Sequence, residues 1–293
     1  MSPERARVVT PAVLRDWPLP EPGEDKQDSG RLLVLGGSTR SPGAVRLAGE
    51  AALRAGAGKV ALATVETVVA GLAPLVPEAA MIPLATDDAG SIDVAQTGTV
   101  VEHAQQVDVL LAGPGLVDAE HAVTLLERVL RRTDATLVLD ALGSAYLTAC
   151  PDGLRRLDGR AVLTANPHEL ARTAHASDDE VARDPLGVAA RVAARCQVVV
   201  LCGGTAKYLV TPDGDAWVVE GGGPGLAASG SGDAQAGILA GLLARGAGPA
   251  QAAAWAGYVH ARCGERLAAA VGPVGYLARE LPAQVPAVLA ELA

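Results

Sequence analysis

The stretch RLLVLGGSTRSPGAVRLAGEAALRAGAGKVALAT, Arg31 to Thr64, changes rhythm twice. Arg31 to Gly37 is a short continuous apolar run closed by two glycines, the pattern of a strand buried on both faces. Apolar residues then recur at helical spacing, with Val45, Leu47, Ala48, Ala52 and Leu53 turned toward a core. Ser41 is expected as the helix cap, Pro42 as the first helical position, and Gly56 and Gly58 as the stop. KVALAT, from Lys59, starts the next strand. Strand, helix and strand in this order imply parallel pairing, so the stretch predicts an α/β fold.

The alternation continues outward. DVLLAGPG (108–115), TLVLDAL (136–142), AVLTA (161–165) and QVVVLCGG (197–204) read as buried strands ending in small-residue turns, with a helical pattern over 118–132. YLVTPDGDAWVVE (208–220) has two extended arms around a Pro-Asp-Gly-Asp turn and reads as an antiparallel hairpin. Helices are expected over 233–244, 249–269 and after Gly275. No linker or internal repeat divides the chain, so residues 30–293 are expected as one domain behind a polar lead-in, residues 1–29. The expected architecture is a central, mostly parallel sheet flanked by helices, with ligands at the carboxyl ends of the strands.

Composition narrows the function. Of 293 residues, 49% are hydrophobic, enough for a sizeable core, and the absence of Phe with only three Trp and four Tyr suits helices on a parallel sheet. A net charge of -9 without a basic block argues against nucleic acid as a partner. Only three lysines occur, Lys26, Lys59 and Lys207, against 21 arginines. The first twenty residues carry charges and prolines where a signal peptide needs an apolar core, and no run is long enough to span a membrane, so the cytoplasm is the expected location. Cys150, Cys196, Cys202 and Cys263 lack the spacing of a metal site or redox pair and read as reduced structural thiols.

The chemistry gathers in PGLAASGSGDAQAGILAGLLARG, Pro224 to Gly246. A glycine-rich turn opening a helix presents free N–H groups and positive partial charge, so Gly230, Ser231 and Gly232 form a natural anion cradle. Asp233, in the same turn, could take a proton from a substrate hydroxyl and ready that oxygen to attack a phosphoryl group. From spacing alone, a plain helix cap explains Asp233 equally well. Neither a Walker loop nor a dinucleotide fingerprint at the first turn is present.

Taken together, LLVLGGSTRSPGAVRLAGEAALRAGAGKVALAT, LLAGPGL, LVLDA, LTANPHELA, TPDGDAWVV and GPGLAASGSGDAQAGILAGLLARG resemble the ADP- or ATP-dependent NAD(P)H-hydrate dehydratases of the ribokinase-like superfamily, in matching order over roughly residues 30–285. The resemblance implies repair of hydrated NADH or NADPH at the expense of ADP or ATP, with Mg²⁺ bridging the phosphates. It implies Asp233 as the base and Gly230, Ser231 and Gly232 as the nucleotide cradle. Ala44, Gly113, Gly115 and Asn166 would face the hydrate, and Cys202, Gly203, Gly204, Thr205 and Ala206 the nucleotide. A homo-oligomer is implied, as is an epimerase carried on a separate chain.

Three blocks depart from the family pattern. Asn166 stands where a substrate-contacting His is expected, with His168 in place of a Gly; Cys202 replaces a phosphate-binding Lys; and the acidic partner of Asp140 is lost. Lys207 could substitute for the missing charge, although a surface lysine at a strand end is the plainer reading. His168, oriented by Glu169, or simply exposed at a helix start, is not assigned to catalysis. His103, His121, His175 and His260 show no spacing that suggests a site. Two rivals follow: a ribokinase-like kinase of a small vitamin-like alcohol, using the same Asp233, and a nucleotide- or NAD(P)-binding homologue without turnover.

Overall fold

The computed structural model describes residues 6–21, 30–204 and 206–292. Its strands are β1 Arg7–Val8, β2 Arg31–Leu35, β3 Lys59–Val65, β4 Ala80–Leu84, β5 Val109–Ala112, β6 Thr136–Leu139, β7 Ala161–Ala165, β8 Val199–Cys202, β9 Lys207–Val210 and β10 Ala216–Val219. They make one sheet in the order β1-β10-β9-β8-β7-β6-β5-β2-β3-β4. Pairing is parallel except where β9 lies between β8 and β10, the hairpin expected from the Pro-Asp-Gly-Asp turn. From β2 the chain steps outward through β3 to β4, then returns to β5 on the other side of β2. The strand order reverses there, and in open α/β sheets the carboxyl edge near such a reversal is where ligands collect.

Both faces of the sheet are covered, as continuous apolar strands require. The helices Gly43–Ala55, Ser231–Ala244, Pro249–Ala270 and Leu281–Leu292 bury one face, around Leu32, Val34, Leu62, Leu111 and Leu201. The helices Ala119–Leu130, Pro167–Ala174 and Pro185–Cys196 bury the other, around Leu33, Leu35, Leu110, Leu137 and Leu163. Alternate residues of β2 thus enter opposite cores, the period of two that a strand imposes. No helix among the described residues is long and apolar enough to cross a membrane.

Two details differ from expectation. Ser41 does not cap the first long helix: Pro42 holds the cap position, and the Ser41 N–H donates to Ser38 Oγ at 3.1 Å, closing the preceding turn on itself. Part of the lead-in is built into the fold. β1 pairs with β10, and the short helix Pro11–Arg15, capped by Thr10, buries Leu14 completely.

The helix Ser231–Ala244 is enclosed by protein along most of its length. Its residues from Ala234 to Ala244 are all buried, so it has no solvent face. Its close fit to Gly43–Ala55 depends on small residues: a Cβ on Gly237 would stand 2.2 Å from the Ala48 carbonyl oxygen. This packing fixes the helix axis, and with it the direction of its amino-terminal turn.

Candidate active site

The carboxyl ends of β6, β7 and β8 open on one cavity of about 670 Å³, a size suited to small-molecule and cofactor ligands. Asp140 follows β6, Thr164 to Pro167 with Glu169 close β7, and Gly203 and Gly204 follow β8. Because β9 runs antiparallel to β8, its first residue, Lys207, comes back to the same edge. The Gly230 to Asp233 turn, Gln235 and His260 complete the far wall.

The turn at 230–233 owes its shape to glycine. Gly230 has φ 88°, the left-handed region that favours glycine, and a Cβ there would also push the end of the Leu47 side chain, whose Cδ1 would lie 2.6 Å away. Gly232 differs, because a Cβ built on it meets nothing within 4 Å. Its open side belongs to the cavity wall. Ser231 Oγ lies 2.9 Å from Nε2 of the buried His260, which ties the first turn to the helix Pro249–Ala270.

Three carboxyl groups line the cavity, and burial raises the pKa of each. For Asp233, burial and then the negative charge of Glu169 push it up to about 6, so it is mostly ionised at neutral pH yet basic enough to accept a proton. For Asp140, burial and then the Asp233 charge push it up to about 8, so it holds a proton at neutral pH. The Thr164 hydroxyl donates to Asp140 Oδ1 at 2.6 Å, which partly offsets the rise, and the Leu139 carbonyl lies 3.3 Å from the same hydroxyl. Glu169, raised chiefly by burial, accepts from the Asn166 N–H at 2.9 Å, while Asn166 Oδ1 accepts from the Glu169 N–H at 2.9 Å. That capping box opens the helix Pro167–Ala174 and places Glu169 at the cavity.

The structure therefore gathers Asp233, Gly230, Ser231, Gly232, Asn166, Gly203 and Gly204 around one space. Ala44, Gly113 and Gly115 lie outside its lining, at the neighbouring strand ends near the sheet reversal. There a Cβ on Gly115 would come within 3.0 Å of Ala44 Cβ, and one on Gly113 within 1.9 Å of the Asp140 carbonyl oxygen. Cys202 and Ala206 are also outside the lining, and Thr205 lies outside the described residues. Cys202 is corrected as a ligand-facing group: it points into the core, 1% exposed, with burial pushing its thiol up to about 12.

Other corrections concern Lys207 and His260, whereas His168 is exposed at its helix start, one of the two readings its position left open. Lys207 is 5% exposed and lines the cavity, so the surface reading fails; the apolar neighbours of β9 and the antiparallel return carry it inward. His168 points outward, its Nδ1 2.9 Å from Asp178 Oδ1, because Glu169 is engaged in the capping box instead. His260, which spacing did not single out, reaches the site from 29 residues beyond Ser231 through helix packing alone.

A family model described as NAD(P)H-hydrate dehydratase matches residues 32–287. The chain belongs to the NAD(P)H-hydrate dehydratase family. A relative from Xanthomonas campestris pv. campestris, named ADP-dependent (S)-NAD(P)H-hydrate dehydratase, is 43% identical over 100% of this chain and 99% of its own. The crystal structure of ADP/ATP-dependent NAD(P)H-hydrate dehydratase from Bacillus subtilis, co-crystallized with ATP/Mg²⁺, aligns with a TM-score of 0.82 at 27% identity, over 98% of this chain and 99% of that one. A ribokinase-like superfamily protein from Enterococcus faecalis aligns with a TM-score of 0.82 at 22% identity, over 100% and 98%, so the dehydratase-family chain has the ribokinase-like fold. Against family relatives named bifunctional NAD(P)H-hydrate repair enzymes, this chain spans about half their length, 54% for the one from Moorella thermoacetica.

Proposed function

We propose that this chain dehydrates hydrated NADH or NADPH at the expense of ADP or ATP. The observation that carries the reading is Asp233: a carboxylate of raised pKa, in the first turn of a buried helix, beside glycines that open on a shared cavity. Family membership supports the substrate, and the names of the relatives support the nucleotide.

A ring hydroxyl is a poor leaving group. Asp233 takes its proton, and the oxygen attacks the terminal phosphoryl group of the nucleotide, which departs as AMP from ADP or as ADP from ATP. The N–H groups of Gly230 and Gly232 hold phosphoryl oxygens at the positive end of the helix, while the Ser231 N–H is engaged with the Ala228 carbonyl at 3.1 Å. The ring carbon–oxygen bond then breaks, phosphate leaves, and loss of a proton from the adjacent ring carbon re-forms the double bond. Ala44, Gly113 and Gly115 would shape the hydrate side and Asn166 its rim, with Gly203 and Gly204 on the nucleotide side.

Mg²⁺ suits these residues. Asp140 and Glu169 present carboxyl oxygens on the cavity lining, the hard donors that Mg²⁺ takes alongside phosphates and waters. Asp140 and Glu169, whose burial disfavours their own charge, would hold it, and it would screen the charge of the phosphates. Asp233 is then left to handle the proton.

The remainder of the reading concerns organisation. Residues 30–293 act as one catalytic domain, the chain works in the cytoplasm as a homo-oligomer, and an epimerase acts from a separate chain, in keeping with relatives about twice as long that are named bifunctional.

The test incubates purified protein with hydrated NADH, Mg²⁺ and either ADP or ATP, and follows recovery of the reduced-nicotinamide absorbance band. Nucleotide-dependent recovery is expected for wild type and not for Asp233→Asn. A stable phosphorylated product without recovery would transfer the assignment to a small-molecule kinase.

A further inference from the structure

Lys207 is one of three lysines in the chain, and it is buried. Its stem passes over Gly257 in the helix Pro249–Ala270, where a Cβ would stand 3.6 Å from Lys207 Cδ, and the residue lines the cavity. Among the described residues no hydrogen bond or ion pair engages its ammonium group. A buried cation without an anion is costly, and a ligand carrying negative charge would remove that cost.

The surroundings are arranged to leave Lys207 as the positive group of this wall. His260 is fully buried and held neutral, its pKa driven well down by burial and then by the Lys207 charge. Its Nε2 faces Ser231 Oγ, and its Nδ1 has no partner. Cys202, on the adjacent strand β8, stays a neutral thiol. Glu265 attracts Lys207 only as a secondary influence, its Oε1 accepting from the Gly222 N–H at 3.2 Å and its Oε2 lying 3.2 Å from Arg262 Nη1.

We infer that Lys207 seats the phosphate chain of the nucleoside di- or triphosphate, acting with Ser231 and the amide groups that open the helix Ser231–Ala244, and so supplies the charge that Cys202 lacks. The inference rests on the nucleotide reading above. It adds a residue on β9 to a site otherwise drawn from β6, β7, β8 and the glycine turn.

The pH dependence separates this role from a structural one. Burial lowers Lys207 to about 8, and a bound phosphate raises it again, so binding takes up a proton near that pH and weakens as pH rises through it. The other groups that act on Lys207 or share its wall are Glu265 and His260 from the helix Pro249–Ala270, Cys202 on the paired strand β8, Asp233 from the glycine turn, and Asp140 and Glu169 on the cavity lining. Asp140 titrates in the same window, at about 8. It is present in wild type and variant alike, so the ratio of their affinities isolates Lys207.

Calorimetry of Mg·ADP and Mg·ATP binding, in buffers of differing ionisation enthalpy between about pH 7 and pH 9.5, provides the test for wild type, Lys207→Met and Lys207→Arg. Lys207→Met is expected to weaken binding about 10–100-fold at pH 7, with the gap closing at the alkaline end and proton uptake reduced. Lys207→Arg, which stays charged, should bind within a few-fold of wild type at pH 7 and overtake it as pH rises. Removing an unpaired buried ammonium should not lower the thermal midpoint, and if Lys207→Met fails to fold, the Lys207→Arg profile decides. Wild-type binding matched by Lys207→Met at every pH overturns the role of Lys207 and leaves the nucleotide reading standing. Wild type binding neither nucleotide overturns both.

Discussion

The helix Ser231–Ala244 carries glycine in its first turn, at Gly232, and inside its buried run, at Gly237, for opposite reasons. At Gly237 the missing side chain is filled by protein: a Cβ would press on the Ala48 carbonyl oxygen, and backbone cannot yield as a flexible side chain can. At Gly232 the missing side chain is filled by nothing within 4 Å, on the wall of the cavity. One glycine makes room for a neighbouring helix and the other leaves room for a ligand. The same residue type in one helix thus separates what holds the turn in place from what the turn presents.

Asp233 stands one residue past the second kind of glycine, and its replacement should have the largest effect. Asp233→Asn is expected to lower kcat about 10²–10⁴-fold, the usual contribution of a positioned general base, in the nicotinamide-recovery assay. The variant should remain well folded. Because burial raises the Asp233 pKa, the stability it contributes is full below the ordinary carboxylate range and is lost as pH rises through about 6. An amide avoids that loss, so at neutral pH the thermal midpoint of the inactive variant should be no lower than that of wild type. A midpoint well below wild type would make Asp233 a structural cap instead.

Gly237→Ala should act through the fold alone. Forcing a methyl group against the Ala48 backbone is expected to cost about 3 kcal/mol, roughly two powers of ten in the ratio of folded to unfolded protein, measured by urea denaturation. Nucleotide affinity per folded molecule should stay within a few-fold of wild type. A variant of unchanged stability would mean that the two helices are not held as closely as Gly237 and Ala48 place them.

The contrast also explains what was legible in the sequence. Alternation of strand and helix from Arg31 onward, the hairpin after Lys207 and the glycine turn before Asp233 are local patterns, and the structure has all of them. Their periods are set by backbone geometry, which neighbours in sequence already determine. Lys207 and His260 were not legible as parts of the cavity. Lys207 enters it because β9 reverses direction, and His260 because a helix starting at Pro249 packs one face against Ser231. Neither event leaves a mark in local spacing. The strand β4 escaped for another reason: AMIPL carries Pro83, which a paired strand tolerates chiefly at an edge, and β4 is the last strand of the sheet.

Gly232→Ala reverses the expectation for Gly237→Ala. Alanine favours helix over glycine by up to about 1 kcal/mol, so the thermal midpoint should hold or rise slightly. Nucleotide affinity should fall about tenfold, because the added methyl group occupies cavity space beside the amides that would meet phosphate. Loss of stability with intact affinity would place Gly232 in the same class as Gly237 and move the phosphate elsewhere along the cavity.

The gentlest test leaves the sequence untouched and varies pH. If Asp233 must be ionised to accept the hydroxyl proton, kcat/KM is level above its pKa and falls tenfold for each unit below it. With the group raised to about 6 by burial and by Glu169, the value at pH 6 should be about half that of the plateau. Glu169→Gln removes the negative charge that supplies the second part of the shift, so the inflection should move to lower pH while the part due to burial remains. Stationary inflection in that variant would mean that burial alone sets the basicity of Asp233, and that the acidic wall serves the cation and not the base.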